Sequence, residues 1–178
     1  MTSESDNLTQ NALRARRENR LEDAKRDLVR AVGICRESGL RNELAKALAG
    51  LGQIERDLGC SDVAMRHYEE AGAIYRTEGE ALKLAHMVRH VADIQRHEGH
   101  YDQAAANYGE ALRLYRSDTA TSRLDLANAL RGMALLKEEI DKNEEARSLW
   151  SEARDLYAAV GVEAGVSESS DRLRRPQD

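Results

Sequence analysis

Residues Leu48–Tyr75 read LAGLGQIERDLGCSDVAMRHYEEAGAIY, and forty residues later Val88–Tyr115 read VRHVADIQRHEGHYDQAAANYGEALRLY. The two stretches agree in kind more than in letter. Each has a small residue early (Gly52, Ala92), a glycine where a turn falls (Gly59, Gly99), and then Ala-x3-Tyr-x2-Ala. The last element runs Ala64, Tyr68, Ala71 in the first copy and Ala104, Tyr108, Ala111 in the second.

Working outward, the same element recurs as Ala24, Leu28, Ala31 and as Ala146, Trp150, Ala153, so the leading alanines are 40, 40 and 42 residues apart. Ten and eleven residues beyond each leading alanine come Ile34-Cys35, Ile74-Tyr75, Leu114-Tyr115 and Leu156-Tyr157. Positions i, i+4, i+7 and i+11 share one face of an α-helix, so each unit carries a small-large-small-large stripe. Small residues let neighbouring helix backbones approach, and the large ones fill the space between them. A second helix precedes each stripe, marked by Leu44-Ala45, Leu48 and Leu51, by Leu84-Ala85, Val88 and Val91, and by Leu126-Ala127, Leu130 and Met133. Turns at Gly59-Cys60, Gly99-His100 and Asp141-Lys142 separate the two. The unit is therefore a helix hairpin, and stacking several of them supplies the core that one alone lacks.

The spacing predicts an all-α array of four hairpins, at about 7–38, 41–78, 81–118 and 123–160, closed by a capping helix over 162–174. That last helix shows Val166, Ser170 and Leu173 on one side and Glu168, Asp171 and Arg172 on the other. Residues 1–6 and 175–178 are read as disordered ends. Composition agrees: one proline, Pro176, no phenylalanine, and 41% apolar residues dominated by helix formers leave nothing from which to build a sheet-based enzyme.

With Lys+Arg 27 against Asp+Glu 32, the net charge of -5 argues against a general affinity for nucleic acid. No stretch approaches the roughly 20 apolar residues a membrane helix needs, and the polar start lacks an apolar leader, so a cytoplasmic protein without membrane contact is expected. Cys35 and Cys60 match no metal or disulfide spacing and are read as free thiols.

The residues quoted resemble the tetratricopeptide repeat (TPR) family, in the longer form of about 40 residues per unit seen in kinesin light chains and in the spindle-orientation adaptor that binds G-protein alpha subunits. The resemblance covers nearly the whole chain. It implies a right-handed α-α superhelix, a TPR solenoid, whose first helices line a concave groove that takes extended or helical peptides. Those relatives favour asparagines on the groove side of the first helix. Here the corresponding rows hold Gly50, His90 and Gly132, and Gln53, Asp93 and Leu135.

In the first helix of the third unit, His86, His90, Asp93 and His97 fall within a narrow arc, opposite Leu84, Met87, Val88, Val91 and Ile94. Arg89 and Arg96 flank them, and Arg56 and Arg131 sit at equivalent or neighbouring positions in adjacent units. With the family geometry this is a positive centre suited to carboxylates, hence to an acidic partner or a free C-terminus. Without that geometry it is an ordinary solvated helix face. His86, His90, Asp93 and His97 are also metal-ligand types, but the adjacent arginines oppose a cation, and no metal or other cofactor is assigned. Gly50 and Gly132 interrupt predicted helices at about 1 kcal/mol each relative to alanine. They either leave groove space beside His90 for a ligand or reflect close helix packing or simple tolerance of glycine. The acidic run from Lys137 to Glu145 is read as a solvated helix end, and Tyr75, Tyr115, Tyr157 and Trp150 as core.

No phosphate loop, nucleophile elbow or paired-acid motif is present, so catalysis is not expected. Two functional readings stand. One is a protein-protein interaction module binding a peptide or partner protein in a groove. The other is a structural scaffold that self-assembles through its terminal helices or convex face, so that either monomer or homodimer is allowed.

Overall fold

The computed structural model describes residues 3–175, and these form nine α-helices and no strand. In chain order they are α1 (Glu4–Arg17), α2 (Leu21–Glu37), α3 (Arg41–Asp57), α4 (Ser61–Thr77), α5 (Ala81–His97), α6 (Tyr101–Ser117), α7 (Arg123–Glu139), α8 (Asn143–Ala159) and α9 (Glu163–Arg174). Among them α1 and α2, α3 and α4, and α7 and α8 pack as antiparallel neighbours, and α9 packs on α8. The chain is an all-α helical-repeat solenoid.

The repeat length has a visible cause in the turns. Left-handed backbone occurs at Asn19, Gly39, Gly59, Gly79, Gly99, Asp141 and Gly161, one residue at each of seven connections. The next residue's N–H bonds back to a carbonyl five positions earlier in every case, for instance Cys60 to Glu55 and His100 to Gln95, both at 2.8 Å. This is the Schellman closure, which satisfies carbonyls that a helix end would leave bare. Glycine suits five of the seven sites, and Asn and Asp are the side chains that best tolerate the remaining two. The α6–α7 connection breaks the rule. Its longer loop has no left-handed residue, and α7 begins instead at Ser122, whose hydroxyl accepts from the Asp125 N–H at 3.1 Å. Here lie the two extra residues of the 42-residue spacing.

At the N-terminus, Ser3 Oγ accepts from the Asp6 N–H at 3.2 Å and starts a helix at Glu4. Half of the 1–6 segment expected to be disordered is therefore helical, because a serine cap followed by first-turn Glu4 and Asp6 suits the positive end of the helix dipole. Pro176, Gln177 and Asp178 of the expected disordered tail lie outside the described residues, while Arg175 within them has extended backbone.

The helices divide into two compact units, residues 1–87 and 88–178, with the division inside α5. In the first, α1 packs on α2, α2 on α3 and α3 on α4. Its seam alanines Ala24, Ala31, Ala64 and Ala71 are fully buried, with Leu28, Leu48, Ile54 and Tyr68 filling between them. In the second, α6 packs on α7, α7 on α8 and α8 on α9. Ala92, Ala104, Tyr108 and Leu136 form one core cluster, and Ala134, Ala146 and Trp150 form another, against which Leu135, Leu149 and Leu173 pack. All eight seam alanines expose 1% of their surface or less, so the period read from the sequence is the period of the core.

Candidate functional site

The polar side of α5 falls across the division: His86 belongs to the first unit, and Arg89, His90, Asp93, Arg96 and His97 to the second. Within the second unit these side chains are bonded to one another. Arg89 donates to Asp93 Oδ2 at 2.9 Å, and the Tyr108 hydroxyl of α6 donates to Asp93 Oδ1 at 2.6 Å, so both carboxylate oxygens are engaged. Arg89 Nη2 lies 3.1 Å from His90 Nε2, and Arg96 Nη2 lies 3.1 Å from His97 Nε2. A guanidinium only donates, so each imidazole accepts through Nε2. Arg96 also pairs with Glu139 of α7, and Arg131 of α7 makes a two-pronged bond to Glu168 of α9 at 2.6 and 2.9 Å. Burial, reinforced by the Asp93 carboxylate, raises the Tyr108 hydroxyl well above the ordinary phenol range, so it stays a donor.

Two expectations are corrected by this geometry. The arginines do not form a bare positive centre, because Arg89, Arg96 and Arg131 each hold a carboxylate from the same unit. Nor is this an ordinary solvated face. The side chains of Arg89, His90 and Arg96 expose only 15%, 10% and 10% of their surface, whereas His97, one turn beyond Asp93, is open to solvent.

The metal reading fails on distance. Among the described residues no three His, Cys, Asp or Glu side chains converge on one point. His86 and His97 are eleven residues apart on one helix, about 16 Å along its axis at 1.5 Å per residue. Asp93 is in any case committed to Arg89 and Tyr108.

The glycines also resolve. A Cβ on Gly132 would meet the Tyr108 ring at 2.5 Å, and one on Gly50 would meet Leu28 Cδ2 at 3.0 Å. The space beside each is filled by a seam side chain of the preceding helix, so these glycines serve packing and leave no room for a ligand. Gly165 against Tyr157 repeats the arrangement, and Gly52 admits the ring of Tyr68 from the following helix. Arg56 and His86, both half-buried, belong to the first unit.

Sequence reasoning missed the carboxylates that answer the arginines. Their signal is periodic: Arg16 bonds Asp57 at 2.6 Å across 41 residues, and Arg96 pairs with Glu139 across 43. A second ladder joins the other helices, Arg36 to Glu70 and Arg116 to Glu152, each at 2.7 Å.

The fold is shared with a solved structure, that of BtubC (BKLC) from P. vanneervenii, with a TM-score of 0.78 at 18% identity over 86% of this chain. The chain spans 63% of that protein's length. No curated protein matches the chain in sequence. These likenesses support a TPR-like helical repeat without singling out the kinesin light chain or spindle-adaptor type. Among family models, that of the soluble NSF attachment protein, SNAP, matches residues 2–125, and the chain belongs to this family.

Proposed function

We propose that the chain is a protein-protein interaction module that receives a carboxylate-bearing partner segment along the polar side of α5 and α7 in its second unit. One observation carries the reading: Arg89, His90 and Arg96 are polar yet recessed, with side-chain exposures of 15% or less, and are held in place by their own hydrogen bonds. A polar recess whose donors are already oriented loses little conformational freedom when a partner enters. The helical-repeat architecture of the family supports the general role.

The internal carboxylates set how a partner would engage. Asp93 is fixed by two donors, whereas Glu139 and Glu168 are each about one-third exposed at their side chains. A partner carboxylate exchanges for Glu139 on Arg96 or for Glu168 on Arg131, keeping a charge-assisted bond at every stage. The test is capture of interactors by the whole chain, repeated with Arg89, His90 and Arg96 changed to alanine after circular dichroism confirms folding. Loss of a specific partner is expected. Retention of all partners by the folded variant would move function away from α5 and favour self-assembly through another surface.

A further inference from the structure

A second polar site lies in the second unit, where α7, α8 and α9 enclose a cleft of about 180 Å³. Trp150 forms one wall. Its indole N–H donates to Glu138 Oε1 at 2.8 Å, while Arg172 pairs with Oε2 of the same carboxylate and lies 5.6 Å from the indole centroid. Glu138 therefore has both oxygens in use. Arg147 donates through Nη1 to the Leu173 carbonyl at 2.8 Å, and Arg175 lines the rim. Neither Arg147 nor Arg175 has a carboxylate partner among the described residues. Among the described residues that line the cleft, three guanidinium groups thus accompany one carboxylate, in a protein whose net charge is -5.

We propose that this cleft binds an oxyanion, the carboxylate or phosphate of a partner peptide's side chain. Guanidinium forks match either group with paired donors, and the aromatic wall shields the bonds from water. The site shares no residue with the α5 recess and does not rest on the reading given for it.

Trp150 is the chain's one tryptophan, so its emission reports directly on this cleft. The folded chain is titrated at constant ionic strength with a tetraglutamate peptide, a phosphoserine peptide and a tetraglutamine control. A saturable change with an acidic peptide and none with the control is expected, and the tighter of the two acidic peptides identifies the source of the oxyanion. Replacing Arg147 and Arg175 together by alanine weakens that binding at least about tenfold, roughly 1.4 kcal/mol. Because Arg147 also ties α8 to the end of α9, Arg175→Glu alone serves as the second variant, and weaker binding is expected there too. Absence of a saturable response to both acidic peptides, or an unchanged response in the folded variants, overturns the proposal.

Discussion

Gly132→Ala puts the packing of the second unit to its sharpest test. The new methyl group would stand 2.5 Å from Tyr108 Cε1 and 2.8 Å from both Cζ and the hydroxyl oxygen, well inside carbon contact distance. Tyr108 is wholly buried among Ala92, Ala104 and Leu136, so its ring has no free volume to enter. Alanine recovers about 1 kcal/mol of helix propensity. Against this stand overpacking, about 1–3 kcal/mol, and the strained or broken bond from Tyr108 to the Asp93 carboxylate, about 1.5–3 kcal/mol. The expected net loss is about 3 kcal/mol, or about 6–12 °C in melting temperature for a chain of this size. Gly109→Ala is the control. It lies in α6 with nothing within 4 Å of the new Cβ, and should stabilise by up to about 1 kcal/mol. Thermal unfolding followed by far-ultraviolet circular dichroism compares the three proteins. A Gly132→Ala protein as stable as the parent would refute the claim that the glycine exists to admit the tyrosine.

Other expectations follow from the same contacts. Tyr108→Phe keeps the ring but leaves Asp93 Oδ1 without its donor, and urea unfolding should show a loss of about 1–3 kcal/mol. Arg116→Ala removes an exposed ion pair with Glu152, and the same assay should register less than about 1 kcal/mol. Burial lowers His67 below its ordinary value of 6.5, against the opposing pull of Glu55 and Glu70 and with Arg66 and Arg36 adding to the depression. The unfolded chain therefore takes up this proton first, and stability should fall as pH drops from about 6.5 toward the folded-state value. His67→Gln should flatten that slope in melting curves taken across the range.

The repeat is legible in the sequence because it is a local property. Ala64, Tyr68 and Ala71 mark a helix face by spacing alone, and Gly59 marks the end of the preceding helix by the backbone angle it permits. The site is legible only as a set of residues. Arg89, His90, Asp93 and Arg96 share one side of a helix, but which carboxylate answers Arg96 depends on how α7 lies beside α5. Without that information Glu139 reads as part of a solvated acidic run. The role of Gly132 is hidden for the same reason, since the ring filling its missing side chain arrives from Tyr108 of α6, across an intervening loop. Arg172 reads as part of a polar outer face, and its place over Trp150 emerges only from the packing of α9 on α8.

The most direct test of the interaction reading is photocrosslinking from two positions on the folded chain. One probe replaces solvent-exposed His97 at the edge of the α5 recess, and the other replaces Val29, 52% exposed on α2 of the first unit. The probe at His97 is predicted to capture a specific partner, and the same crosslink to disappear when Arg89 and Arg96 are changed to alanine, while the probe at Val29 captures none. A partner captured from Val29 and not from His97 would contradict the reading.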